Sequence, residues 1–361
     1  MKKVLHIITN FAAVGGAETM LSRLIQTRPD CRHYVAALMN VNGTYQEALQ
    51  RCEAHYALRW NGLNTVGTIL KLRKIIQAVQ PDVIQGWMYH GNVLASLSVI
   101  GLKNKPKTFW GIHHSLASPK DESASTKIAL ALSRVLAPQP AGIIYCAHSA
   151  LEQHRNFGLN NANSQVIANG VFIDQLQPNF KINSPAVIGF AGRYHAAKGY
   201  PYLFEAMAKL KDEPVIFKIA GRGASLENPE VKALFGQHQL SADKVQLLGQ
   251  VSDMPAFYQS IDAFLLTSIT EGFPNVLVEA MASGLPCIST DVGDARYIVQ
   301  EFGSIVPPRD AAALAAAVLD YVNLAAAEKL ELKQLIRRRV EQDFSIEKVS
   351  QQYAAAWRQP A

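Results

Sequence analysis

Residues 262–290 read DAFLLTSITEGFPNVLVEAMASGLPCIST. DAFLLTS is a short apolar run of strand length, and the apolar spacing of VLVEAMA is helical. Gly284-Leu285-Pro286 stops that helix, and the run to Thr290 reads as a second strand. Strand, helix and strand in about thirty residues make a βαβ unit, which requires a parallel sheet.

The same alternation extends in both directions. AVIGFAGR, FKIAGRG, KVQLLGQV, DAFLLTS, LPCISTDVG and GSIVPP form one series of strands, each followed by a helical stretch. An earlier series starts at Val4–Thr9, turns at Gly15 and Gly16 into the helix AETMLSRLIQ, and continues through HYVAALMN, TVGTILKLRKIIQAVQ, DVIQGW, NVLASLSVIGL, KTFWGIH and GIIYCA. Between the series, QVIANGVFIDQLQPNFKINSPA is rich in Asn and Pro and reads as a connector. The fold class is therefore α/β, with two Rossmann-like, doubly wound parallel-sheet domains expected to face each other across a cleft. The expected boundaries are 1–172, 185–342 and a C-terminal segment 343–361. In that segment Ile346, Val349, Tyr353 and Trp357 share a helical face that must pack on something, most simply the N-terminal domain.

Length and composition agree: 361 residues is one core too many for a single domain, and 49% apolar with 18% charged residues is the balance of a folded enzyme. The four cysteines show no C-x-x-C pair, so neither a disulfide framework nor a zinc site is expected, and a reducing cytoplasmic setting fits. The MKKVLHIITN start reads as a strand, not a signal peptide. No run approaches the roughly 18 apolar residues of a membrane span. The net charge of +6 is uneven: residues 1–180 hold 17 Lys/Arg against 9 Asp/Glu, and residues 181–361 hold 18 against 20. A basic half favours phosphates or anionic headgroups, though charge alone is equally at home on a solvated surface.

Ligands of open parallel sheets bind beyond the carboxyl ends of the strands, so the loops there carry the chemistry. Glu271 and Glu279 lie eight apart around Gly272-Phe273-Pro274-Asn275 at the start of a helix. Pro274 suits the first turn, and the amides beyond it can hold a phosphate at the positive end of the helix dipole. Glu279 can accept from a vicinal diol, and Glu271 can orient sugar hydroxyls. Two such glutamates also occur on ordinary capped surface helices. Arg193 and Lys198 follow the first strand of the second series, where cations can neutralise a leaving diphosphate. His113 and His114 end the strand TFWGI, and Tyr89, His90 and Asn92 follow the strand before it.

Taken whole, EGFPNVLVEAMASGLP resembles the donor-binding motif of the retaining glycosyltransferases of family 4, which have the GT-B fold. GRYHAAKG resembles that family's G-R…K-G segment, LLGQVSDMPAFYQSIDAFLLTS its base-binding stretch, and AVGGAE its N-terminal Gly-Gly loop. The resemblance implies that Glu279 binds ribose, Glu271 the transferred sugar, and the backbone of Gly272, Phe273, Pro274, Asn275, Val276 and Leu277 the sugar and β-phosphate. It implies that Arg193 and Lys198 grip the diphosphate, that Gln250 and Val251 contact the base through their backbone, and that Gly15 and Gly16 approach the phosphates. It gives a sugar-binding role to a histidine, aligned with His113, with His114 left open; Glu271, Arg193, Lys198 and His113 form the catalytic set. The implied reaction is retaining and needs no metal and no cofactor beyond the nucleotide-sugar co-substrate, taken as UDP-linked. No D-x-D pair is present to hold a divalent cation.

For the acceptor, the basic excess, TILKLRKIIQ, KNKPK and the segment SLASPKDESASTKIALALSRVLAPQ suit a surface near anionic lipid. The expected partners are a polyprenyl-diphosphate-linked saccharide and the inner face of the cytoplasmic membrane, with no nucleic acid. A soluble or protein acceptor, and a relative that binds nucleotide sugar without transferring it, are the alternatives. A nicotinamide-dependent oxidoreductase is disfavoured because no G-x-G-x-x-G follows the first strand.

Overall fold

A computed structural model describes residues 1–358 and divides into two compact units. The first comprises residues 1–170 and the C-terminal helix from Ile346; the second is Val171–Ser345.

The first unit is built on strands β1 (Lys2–Ile8), β2 (Cys31–Ala37), β3 (Cys52–Ala57), β4 (Val83–Trp87), β5 (Lys107–Ile112), β6 (Gly142–Tyr145) and β7 (Ser164–Val166). They form one parallel sheet in the order β3-β2-β1-β4-β5-β6-β7. β4 is buried throughout and β1 over its last five residues, as expected of central strands covered on both faces. The edge strand β3, CEAHYA, alternates half-buried and exposed positions instead. The second unit contains β8 (Ala186–Ala191), β9 (Val215–Ala220), β10 (Val245–Gly249), β11 (Ala263–Leu266), β12 (Cys287–Thr290) and β13 (Gly303–Val306), in the order β10-β9-β8-β11-β12-β13. Each sheet thus reverses direction once, between β1 and β4 and between β8 and β11. The loops leaving those strands flank the crevice where doubly wound sheets bind ligands.

Three expectations are adjusted. The Asn/Pro-rich stretch before β8 is not a free connector, because Asn179 is buried and donates to the carbonyls of Gln259 and Ile261 at 3.0 and 2.8 Å, while Asn183 is held by Asp262. These side chains satisfy backbone groups that an exposed linker would leave to water. The division therefore falls at Gly170/Val171 rather than between 172 and 185. The last helix begins at Ile346, not 343, since the helix Ala326–Asp343 belongs to the second unit. In the C-terminal helix Ile346, Val349, Tyr353 and Trp357 are all buried, and Trp357 Nε1 donates to Gln85 Oε1 of β4 at 3.0 Å. The expected segment 343–361 also includes residues 359–361, which lie outside the described residues.

Among the described residues no single helix is long and apolar enough to cross a membrane. The four cysteines are unpaired, and among the described residues no cluster of three His, Cys, Asp or Glu side chains is placed to hold a metal.

Candidate functional site

In the second unit the loop after β8 and the loop after β11 meet across the switch point. Gly199 makes that meeting possible: its φ is +65°, and a Cβ there would stand 2.0 Å from the Thr267 carbonyl oxygen. Thr267 Oγ1 in turn donates to the Lys198 carbonyl at 2.9 Å. This packing brings Lys198 Nζ to 2.5 Å from Glu271 Oε1, and Ser268 Oγ donates to the same oxygen at 2.7 Å. Thr290 Oγ1 fixes the Ser268 carbonyl at 2.7 Å. The Lys198 and Glu271 side chains keep 23% and 15% of their surface exposed, so the pair is reachable from solvent. An ammonium has three donors and a carboxylate two oxygens, so Lys198 retains two N–H groups and Glu271 retains Oε2 for a ligand.

Beyond Glu271 the chain is fixed from below: Asp294 N–H donates to the Gly272 carbonyl at 3.0 Å, and Gly293, φ +55°, lets the two loops approach. Phe273 and Pro274 are buried. Pro274 is the N-cap of the helix Asn275–Ala282, one position earlier than expected, because the helix opens on the Asn275 amide. The first-turn amides of Asn275 and Val276 therefore lie at the carboxyl edge of the sheet, where an anion meets the dipole, while the Leu277 N–H already donates to the Pro274 carbonyl at 3.0 Å. Glu279, one turn further, accepts from Tyr258 OH at 3.2 Å. Arg193 is exposed directly after β8, and Gln250 and Val251 follow the edge strand β10. Apart from Glu279, in the second turn of the helix, the second-unit residues singled out in the sequence thus sit in loops or a first helical turn beyond the carboxyl ends of strands of one sheet. Ser268, Thr290 and Tyr258 join them without having been anticipated; Ser268, three residues before Glu271, was the one within sight.

In the first unit the equivalent edge has a different character. Gly15 is the N-cap of the helix Gly16–Thr27, and Glu18 folds back so closely that a Cβ on Gly15 would stand 2.4 Å from its carboxylate. His113 follows β5 and stacks on Trp87 with ring centroids 5.1 Å apart. Its Nδ1 is 3.0 Å from Asn169 Oδ1, and its Nε2 is 3.5 Å from Tyr353 OH. Burial lowers its pKa to about 4, the Asn169 contact opposing the shift, so the ring is neutral and donates through Nδ1. His114 instead pairs with Glu122 at 2.7 Å and is 44% exposed. Deeper in the same sheet a second neutral relay runs from Trp87 Nε1 to His6 Nδ1 (3.2 Å), from His6 Nε2 to His33 Nδ1 (3.0 Å), and from His33 Nε2 to the Arg28 carbonyl (3.1 Å). Since indole can only donate and the carbonyl only accept, both tautomers follow.

Comparison with known proteins agrees with this geometry. The family model described as Glycosyltransferase Family 4 matches residues 14–175, and that described as Glycosyl transferases group 1 matches residues 185–323, together more than four fifths of the chain. The chain is 30% identical over 182 residues to the putative colanic acid biosynthesis glycosyltransferase WcaL of Escherichia coli, covering 48% of this chain and 45% of that protein. It is 22% identical over 251 residues to the E. coli UDP-Gal:alpha-D-GlcNAc-diphosphoundecaprenol alpha-1,3-galactosyltransferase, covering 64% of each. The chain spans between about a third and two thirds of the length of the curated relatives it matches. Among solved structures, Anabaena HepE in complex with UDP and glucose superposes with a TM-score of 0.80 at 20% identity, covering 98% of this chain and 99% of that one. With the strand order, the switch-point loops and the two matched domains in agreement, the chain belongs to the group 1 and family 4 glycosyltransferases of the GT-B fold.

Proposed function

We propose that the protein transfers a sugar, with retention of configuration and without a divalent metal, from a UDP-linked hexose or N-acetylhexosamine to a lipid-linked saccharide in cell-surface polysaccharide assembly. The observation that carries the reading is the Lys198–Glu271 pair at the switch point, beside the amino end of the helix Asn275–Ala282. Lys198, Arg193 and the first-turn amides would hold the diphosphate and stabilise the charge that develops as it leaves. Glu271 Oε2 would accept a hydroxyl of the transferred sugar, and Glu279, oriented by Tyr258, the ribose diol. The backbone at Gln250 and Val251 would border the base, and Gly15 and Gly16 the phosphates. His113, neutral and braced by Asn169, would hydrogen-bond the sugar. The acceptor attacks the face the diphosphate leaves, and a leaving phosphate oxygen takes its proton.

The lipid-linked acceptor and UDP are supported by the names of relatives, one a diphosphoundecaprenol galactosyltransferase and one a colanic acid enzyme, and by the basic balance of residues 1–180. A location at the inner face of the cytoplasmic membrane follows from that acceptor. The test is a screen of UDP- and GDP-sugars reading nucleoside diphosphate release with a polyprenyl-diphosphate-linked saccharide, with and without EDTA. Glu271→Ala, Lys198→Ala and His113→Ala are expected to lose transfer; full activity in all three would overturn the site. Flotation with vesicles containing or lacking anionic lipid tests the membrane contact, which salt should weaken.

A further inference from the structure

The first unit carries an apolar groove that the donor chemistry does not use. The helices Thr65–Val79, Met88–Val99 and Ala124–Leu136 pack side by side, the middle one against both others. Over the middle helix lies a groove of about 210 Å³ lined by Trp60, His90, Val93, Leu94, Leu97 and Leu132. Thr65, His90 and Ser125, from the first turn of each helix, also line it. Each helix follows a parallel strand, so that end of the groove opens at the carboxyl edge of the sheet, where acceptors are expected.

Its rims are apolar and exposed. The lining residues Ile128 and Leu132 keep 64% and 43% of their surface exposed, and Val66, Leu70 and Val135 on the two outer helices are exposed at 73%, 56% and 75%. The helix Ala124–Leu136 has already buried Ala129, Leu130, Ser133 and Leu136, so Ile128, Leu132 and Val135 form a second, solvent-exposed apolar stripe. The three helices contain five Lys/Arg and no Asp/Glu. At the mouth, His90 Nε2 is buried without a hydrogen-bond partner, its ring 5.1 Å from Trp60. Lys127, in the first turn of Ala124–Leu136, stands at the carboxyl-edge end, and Lys71, Arg73, Lys74 and Arg134 lie further along the helices, so hydrocarbon ending in a phosphate matches this groove.

We infer that this groove binds the first isoprene units of a polyprenyl diphosphate, with the diphosphate at the carboxyl-edge end; the inference rests on the lipid-linked acceptor reading. The probes are inorganic diphosphate and farnesyl diphosphate, titrated with saturating UDP present to occupy the donor site. Farnesyl diphosphate is expected to bind about tenfold tighter or better, since burying two methylene groups is already worth about that factor. The double variant Ile128→Asn/Leu132→Asn, at exposed rim positions, should abolish the gain while leaving affinity for UDP unchanged. A gain that is missing in the wild type, or that survives in the variant, overturns the groove. So does an equal loss of binding to phosphatidylglycerol vesicles lacking prenyl lipid, which would assign the face to the bilayer instead. Failure of the acceptor reading has a different signature: the farnesyl gain persists, yet no lipid-linked saccharide is glycosylated.

Discussion

The two units repeat one topology and put opposite chemistry at the same edge of it. At the switch point of the second unit stands a partly exposed ion pair, Lys198 with Glu271. Near that of the first, the ends of β4 and β5 carry a stack of Trp87, His113 and Tyr353, with a buried relay of neutral histidines behind it. Charge that stays near water can be lent to an arriving diphosphate, whereas a desolvated imidazole is held neutral and serves position and polarity. The same scaffold thus supplies one edge suited to neutralising charge and another suited to holding uncharged groups.

The comparison breaks most visibly with acid. Burial lowers His33, His113 and His154 to about 4 and His6 well below its usual value. Their folded pKa values lie below that of unfolded histidine, near 6.5, so the unfolded chain binds more protons as pH falls and stability present above 6.5 is lost on the way to 4. By pH 5 each of the three costs about 2 kcal/mol, which urea unfolding at pH 7 and pH 5 would measure as a shift in midpoint. Little change would mean the rings are not buried as described.

Next in size, Trp357→Ala removes a fully buried indole and its bond to Gln85, a loss of about 3–5 kcal/mol. Thermal unfolding should report it through the first unit, with UDP affinity little altered. Lys198→Ala should do the converse, lowering kcat/KM for transfer by roughly 10²–10³ while Tm stays nearly constant. A large fall in Tm instead would make the pair structural. Ser268→Ala should give the smallest effect, a few-fold to about tenfold, read as a lower kcat with unchanged UDP affinity, because Ser268 donates to Glu271 and has no part in the proposed diphosphate site.

Much of this was legible in the chain. The βαβ pattern of residues 262–290 fixes a parallel sheet, and the residues from Glu271 to Glu279 are local enough for their loop and helix to be read directly. The amphipathic face of Ile346, Val349, Tyr353 and Trp357 announced a buried surface before its partner was known. Other features were not legible because their partners are distant in sequence. Ser268 and Lys198 converge on one Glu271 oxygen only because β8 lies beside β11. His6 and His33 are bonded only because β1 lies beside β2.

The sequence by itself determined the element pattern, the two-domain plan and the family, since these depend on periodicity and on contiguous motifs. Tertiary structure decided which charges are shared, which histidines are neutral and which apolar face stays exposed. Those depend on desolvation and on strand neighbours, and neither is a local property of the chain.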